Sequence, residues 1–250
     1  MTSIYNLPIN FNTPKLNFKG LHTVYPQRGL IFGDRFNTSP AIDNSPDKTQ
    51  IEIAAKSNPR IMEIMQKYKL PVKANIDELE KLQQGHLKDT RVVIAKMYSA
   101  LPVRLKNQVN LKDVQEAAMY HDYGKVLIPK PILNKASTLT KNEREIIEQH
   151  SELSYELLKD KGLNKNTLNL IKYHHQTVDR SGYPDISDNF EFGIESQILS
   201  IADKYSALRE ERSYKKAMSQ EEALAIIYND VKKGAVSPEV YDTLVRATQY

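Results

Sequence analysis

Six histidines occur in this 250-residue chain, and five of them sit in four short polar segments. The segments are Gln84-Gly85-His86, His121-Asp122-Tyr123-Gly124-Lys125, Gln149-His150 and His174-His175, and Ala202-Asp203 adds one more carboxylate. Imidazole and carboxylate together suit divalent Fe, Mn, Zn or Ni. His86, His121, Asp122, His150, His174, His175 and Asp203 are too many donors for one ion that keeps an open position. They suit two divalent ions that share a bridging group, and such a pair activates water against a phosphate or similar ester. The chain has no cysteine, which excludes disulfides and thiolate metal sites.

The elements that must carry these groups read as helices. From Asn75 onward the apolar spacing is helical almost throughout, and period-2 strand patterns are scarce, so the fold class is all-α. Asn75-Ile76-Asp77-Glu78 is an N-cap signal for a helix running to about Leu101. Leu111, Val114, Ala117, Ala118 and His121 form the face of a second helix. Thr140-Lys141-Asn142-Glu143 is a capping box that opens a helix to about Lys159, in which His150 continues the row Ile146, His150, Leu153, Leu157. Further helices are expected over about 165–175 and 194–208. Ser219 caps the next, which ends at Lys232-Lys233-Gly234, and Ser237-Pro238 opens the last. His174, His175 and Asp203 each follow an apolar residue by four, so every candidate donor points inward. A buried carboxylate must be paired or bound to a metal, because an isolated buried charge is too costly.

Residues 1–58 differ, with Pro8, Pro14, Pro26, Pro40 and Pro46 among many Asn and Ser. They read as an irregular, possibly disordered leader, and residues 59–250 as the helical domain; one or two short helices are expected between Gln50 and Leu70, broken at Pro59. The net charge of +4 resides in the first 70 residues, and the rest is balanced. No dense basic stripe appears, so nucleic acid is not expected as a partner. A protein partner held by the leader has no support in its composition. No apolar stretch approaches the ~20 residues that span a bilayer, and no signal peptide is evident, so a cytoplasmic protein is expected.

His86, His121-Asp122 and Asp203 match the H…HD…D signature of the HD superfamily of metal-dependent phosphohydrolases. His121-Asp122-x-Gly124-Lys125, Ile128-Pro129, Ile132-Leu133, His150, His174-His175, Asp179, Gly182-Tyr183-Pro184 and Ala202-Asp203 resemble its HD-GYP subfamily. The resemblance covers roughly residues 75–230. It implies an HD-type helical bundle and a phosphodiesterase acting on a cyclic dinucleotide, chiefly cyclic di-GMP. It implies that His86, His121, Asp122, His150, His174, His175 and Asp203 are the ligands of the two ions. Asp122 would bridge them, and a bridging water or hydroxide would attack phosphorus. It also places Lys125, Tyr183, Arg212 and Lys215 against the substrate and makes Asp179 a loop-capping carboxylate. The chain departs from the family pattern at Leu82, where a glutamate would support a third ion, and at Gln176, Arg180, Ser206 and Ser213. These departures keep two rivals open: a phosphohydrolase on another nucleotide or phosphate ester, and a catalytically weak module that senses a nucleotide or contacts a partner.

Overall fold

Local side-chain caps start six of the helices among the described residues. The computed structural model describes residues 48–186, 189–211 and 216–249. Among them the helices are α1 (Lys48–Ser57), α2 (Pro59–Lys67), α3 (Ile76–Gln84), α4 (His86–Ala100), α5 (Val103–Lys106), α6 (Leu111–Tyr120), α7 (Lys130–Leu133), α8 (Lys141–Glu148), α9 (His150–Leu158), α10 (Lys165–Lys172), α11 (Ile194–Arg209), α12 (Gln220–Lys232) and α13 (Pro238–Thr248). A 3-10 turn spans Tyr123–Leu127. No strand occurs among the described residues, as the apolar spacing implies. Thr140 and Ser219 form complete capping boxes with Glu143 and Glu222. Asn58, Asn110, Asn164 and Ser237 accept hydrogen bonds from backbone N–H groups in the first turns of α2, α6, α10 and α13. Each such cap satisfies donors that the helix itself cannot.

Helix α4 runs through the centre and packs on α11, α13 and α6. Its Ile94 and Met97 are fully buried, as are Val114, Ala117 and Ala118 of α6, Leu199 and Ala202 of α11, and Val240 and Leu244 of α13. Helix α10 lies on α6 and α9, and α9 lies on the 3-10 turn. This core holds rigid the ends of α4, α6, α9 and α10, which is where the histidines are.

Three helices differ from their expected extents. The helix expected from Asn75 to Leu101 is broken at Gly85, whose φ of −110° and ψ of −98° are not helical. Asn75 makes no side-chain cap; its amide instead donates to the Ile128 carbonyl at 3.0 Å. A tertiary acceptor holds the Nδ2 end of the side chain, and its oxygen makes no cap at the helix start. The helix expected over 140–159 is two, α8 and α9, divided at Gln149. The helix expected to reach His175 ends at Lys172, so His174 and His175 sit in the turn that follows.

The irregular leader expected over 1–58 does not hold for its last part. Residues 48–57 form α1, with Ile51 and Ala55 buried in the main core. Helix α2 is then clipped to α9: Arg60 bonds Glu152 at 2.8 and 3.1 Å, and the Asn58 amide reaches the Glu156 carboxylate at 2.8 Å. The short helices expected between Gln50 and Leu70, broken at Pro59, are α1 and α2, and the apolar pair at spacing four, Ile51 and Ala55, lies after the last proline of the leader. Residues 1–47 lie outside the described residues.

Candidate metal centre

Five chain segments converge on one buried point. His86 opens α4, directly after the non-helical Gly85. His121 caps the C-terminus of α6, and Asp122 leads into the 3-10 turn. His150 opens α9, His174 and His175 follow α10, and Asp203 lies mid-way along α11. All but His175 are buried; the His175 side chain keeps 27% of its exposure and sits at the mouth.

The contacts run in a chain. His86 Nε2 lies 2.7 Å and His121 Nε2 3.4 Å from Asp203 Oδ1. Both are 3.7 Å from Asp122 Oδ2. The other Asp122 oxygen faces His150 Nε2 at 3.2 Å. His150 Nε2 in turn lies 3.1 Å from His174 Nε2 and 3.2 Å from His175 Nε2. Asp122 therefore stands between a group formed by His86, His121 and Asp203 and another formed by His150, His174 and His175.

Where the ring protons sit decides what this arrangement can hold. The Nδ1 atoms of His121, His150 and His174 point at the carbonyl oxygens of Ala118, Ile147 and Ile171, at 3.1, 2.7 and 2.7 Å. A carbonyl only accepts, so each neutral ring donates Nδ1–H there and presents a bare lone pair at Nε2. Those lone pairs then face one another and the carboxylates. His121 Nε2 and Asp122 Oδ1 have no hydrogen-bond partner despite full burial. Lone pairs gathered this closely repel unless a cation lies among them. Ligand atoms of His86, His121 and Asp203, of His121, Asp122 and His174, and of His150, His174 and His175 each fall within 4.8 Å of one another. The residues present therefore fit divalent cations bound by nitrogen and oxygen.

For Asp122, Asp203, His174 and His175 the electrostatics agree. Burial alone would raise the Asp122 carboxyl, but the Lys125 ammonium, His121 and His150 outweigh it and hold it well below the usual range. Burial opposes ionisation of Asp203 too, and the His121 and His86 rings overcome it. Burial and the neighbouring rings push His174 well down, and burial with His150 brings His175 to about 3. These four groups are thus in the ionisation state a metal ligand needs. His121 moves up: burial opposes a proton there, but Asp122 and Asp203 draw positive charge to it.

The remaining candidates fall around this cluster. Lys125 Nζ is 2.7 Å from Asp122 Oδ2, so in this arrangement its charge is directed at the central carboxylate. The Tyr183 ring lies against His175 with centroids 4.6 Å apart and stands 6.3 Å from His150. Asp179 caps its loop, accepting from the Thr177 and Ser181 hydroxyls at 2.7 and 2.8 Å, as expected. Arg212 and Lys215 lie outside the described residues.

Three residues have positioning roles that the sequence reading did not assign. A β-carbon on Gly124 would lie 2.2 Å from the His150 carbonyl oxygen, so only glycine lets the 3-10 turn meet α9. The buried Ser154 hydroxyl accepts from Gly124 N–H at 2.7 Å and reaches the carbonyls of His121 and His150 at 2.7 and 2.8 Å. The Gln176 amide, also buried, donates to the Pro184 carbonyl at 2.6 Å and holds the Gly182-Tyr183-Pro184 turn over the histidines. Ser154 follows His150 by four on the same helix face, the one signal that could have found it.

The chain matches the HD domain family over residues 48–240. It is 32% identical over 144 residues to the cyclic di-GMP phosphodiesterase response regulator RpfG of Xanthomonas campestris pv. campestris, covering 56% of this chain and 37% of that protein. It is 31% identical over 150 residues to the 3′3′-cGAMP-specific phosphodiesterase 1 of Vibrio cholerae, covering 58% of this chain and 35% of that protein. To a cyclic di-GMP phosphodiesterase of Thermotoga maritima it is 32% identical over 142 residues, covering 56% and 38%. The match spans little more than a third of the length of each of these relatives. No helix among the described residues is long and apolar enough to cross a membrane. With its histidines and aspartates converging on one point, the chain belongs to the HD domain family.

Proposed function

We propose that this protein is a phosphodiesterase that opens a cyclic dinucleotide, cyclic di-GMP first among the candidates, with two divalent ions held by His86, His121, Asp122, His150, His174, His175 and Asp203. The observation that carries the reading is the set of Nε2 lone pairs facing one another and Asp122 across 3.1–3.2 Å, with the ring protons committed to backbone carbonyls. Asp122, with one oxygen toward each group, is the bridging ligand. The relatives named above, phosphodiesterases of cyclic di-GMP and of 3′3′-cGAMP, support the substrate class.

Bound divalent ions would supply a water of lowered pKa and offset the charge on the phosphoryl oxygens. The protein does the positioning. The backbone carbonyls behind His121, His150 and His174 fix each ring in the tautomer that keeps Nε2 free. Lys125 keeps Asp122 ionised and, being partly exposed, can turn toward an entering phosphate as a compact positive charge. Tyr183 covers His175 and offers a flat apolar surface at the mouth of the site. The second phosphate of a cyclic dinucleotide would meet Arg212 and Lys215.

The test joins metal content with turnover. Purified protein loaded anaerobically with Fe, Mn, Zn or Ni is expected to hold about two ions per chain. It is expected to linearise cyclic di-GMP or 3′3′-cGAMP. Folded protein that binds no metal overturns the reading. Cleavage of bis(p-nitrophenyl) phosphate but of no cyclic dinucleotide would assign the site to another phosphate ester, and metal binding without any turnover would leave a sensing module.

A further inference from the structure

His86 and Ser206 are both exceptions to the pattern around them, and the helices that carry them pack together. Three of the buried histidines fix their tautomer by donating Nδ1–H to the carbonyl three residues earlier. His86 cannot do so, because it opens α4 directly after the non-helical Gly85. Its Nδ1 is buried without a hydrogen-bond partner. Ser206 is the counterpart on α11. The hydroxyls of Thr90, Ser99, Ser154, Thr243 and Thr248 each reach back to a carbonyl in the preceding turn of their own helix. The Ser206 hydroxyl makes no such bond and is likewise buried without a partner, at 4% exposure.

Position ties the two together. Asp203, Ser206 and Glu210 follow at spacings of three and four, which places them in one line along α11 and its C-terminus. Asp203 meets the His86 ring at 2.7 Å. At the other end of the line, Glu210 Oε1 lies 3.7 Å from where a β-carbon on Gly85 would be. Ser206 is between them along that line. Helices α4 and α11 pack along this length.

We infer that Ser206 is the positioning residue of His86, its hydroxyl meeting Nδ1 through one bridging water. A buried polar atom normally has a partner, and a polar pocket between two such atoms is where an ordered water resides. A hydroxyl suits the task because it both donates and accepts. With Nε2 directed at the Asp203 carboxylate, the ring proton is on Nε2 and the bridge donates to a bare Nδ1. With Nε2 on an ion, the proton must be on Nδ1 and the same bridge accepts it. Alanine does neither. The second half of this inference rests on the metal reading proposed above.

Nitrogen-15 histidine spectroscopy on the full chain tests it, metal-free and zinc-loaded, with zinc affinity measured by chelator competition. The His86 signals are assigned by their loss in His86→Asn. In zinc-loaded wild type, the His86 Nδ1–H is expected to exchange slowly with solvent, like those of His121, His150 and His174. Ser206→Ala is expected to abolish that protection at His86 alone and to weaken zinc binding about tenfold. Ser206→Thr, which keeps the hydroxyl, is expected to restore both. An unchanged His86 Nδ1 signal in Ser206→Ala, or zinc affinity within twofold of wild type, overturns the inference. Should Ser206→Ala fail to fold, the wild type decides, since rapid exchange of its His86 Nδ1–H overturns the bridge. Should wild type take up no zinc, the metal reading fails separately; the metal-free spectra then decide, and a His86 Nδ1 shift indifferent to Ser206→Ala refutes the bridge.

Discussion

Adding one methyl group at Gly124 tests how the site is positioned. An ideal β-carbon there lies 2.2 Å from the His150 carbonyl oxygen, 2.6 Å from Ser154 N and 2.8 Å from Leu153 Cβ. Carbon and carbonyl oxygen settle at about 3.3 Å or more, so the 3-10 turn and α9 must separate by about 1 Å. Two of the three atoms are backbone, so no side chain can swing aside to absorb the clash. Overpacking of this type costs about 1–3 kcal/mol, and a backbone collision belongs at the top of that range. For a chain of this size each kcal/mol lowers Tm by roughly 2–4 °C, so a fall of about 5–10 °C is expected. The site is hit as well. His150 opens α9 and faces Asp122 at 3.2 Å, and the 2.7 Å bond from Gly124 N–H to Ser154 breaks as the two part. Metal distances tolerate only about 0.2 Å, and a misplacement of about 1 Å can reduce turnover roughly a hundredfold. Calorimetry of metal-free protein, elemental analysis after loading, and turnover of cyclic di-GMP measure the three effects. Gly193→Ala is the control, since nothing lies within 4 Å of its β-carbon. If Gly124→Ala melts within about 2 °C of wild type and keeps its metal, the close approach does not set α9, and the reasoning fails.

Asp122→Asn keeps the shape but removes the central charge, and is expected to lower metal content by half or more and to abolish turnover while the far-ultraviolet helical signal persists; wild-type turnover would place the chemistry elsewhere. Ile51→Ala, in the first of the two short helices flanking Pro59, should cost about 2–5 kcal/mol by thermal or denaturant unfolding with metal stoichiometry unchanged, and no loss would mean that α1 contributes nothing to the core. Chelation should lower Tm in proportion to saturation, by about 2.7 kcal/mol of stability for protein first held at a hundred times its dissociation constant, provided that metal binds only the native state; a melting point indifferent to chelator speaks against bound ions. Arg212→Ala is expected to raise KM for a cyclic dinucleotide about tenfold, as loss of a charge-assisted contact would, with less effect on bis(p-nitrophenyl) phosphate; equal losses on both would give Arg212 a structural role.

The donor set was legible in the order of residues because metal chemistry is selective about type. Five of six histidines and two aspartates, each in register with an apolar helical row, have few other uses in a core. The capping boxes at Thr140 and Ser219 were legible for another reason: both partners lie within four residues, so the bond forms wherever the helix does. Asn75 shows the limit of that logic. Its cap signal is equally local, but its side chain is held through Nδ2 by the Ile128 carbonyl, 53 residues away, and its oxygen makes no cap.

What the sequence alone determined, then, is the all-helical class, the inventory of candidate donors and the motif signature, since these depend on residue type and on spacings within a few turns. Tertiary structure decided the rest. It broke the helix at Gly85 so that His86 could open α4, and it ended α10 before His174 so that both imidazoles turn into one point. It brought the Gly124 turn against α9 with no room for a β-carbon. It also directed Nε2 of His121, His150 and His174 inward by giving each Nδ1 a backbone carbonyl. Side-chain direction and ring tautomer follow from where neighbouring backbones come to lie, and that is set only when distant helices pack.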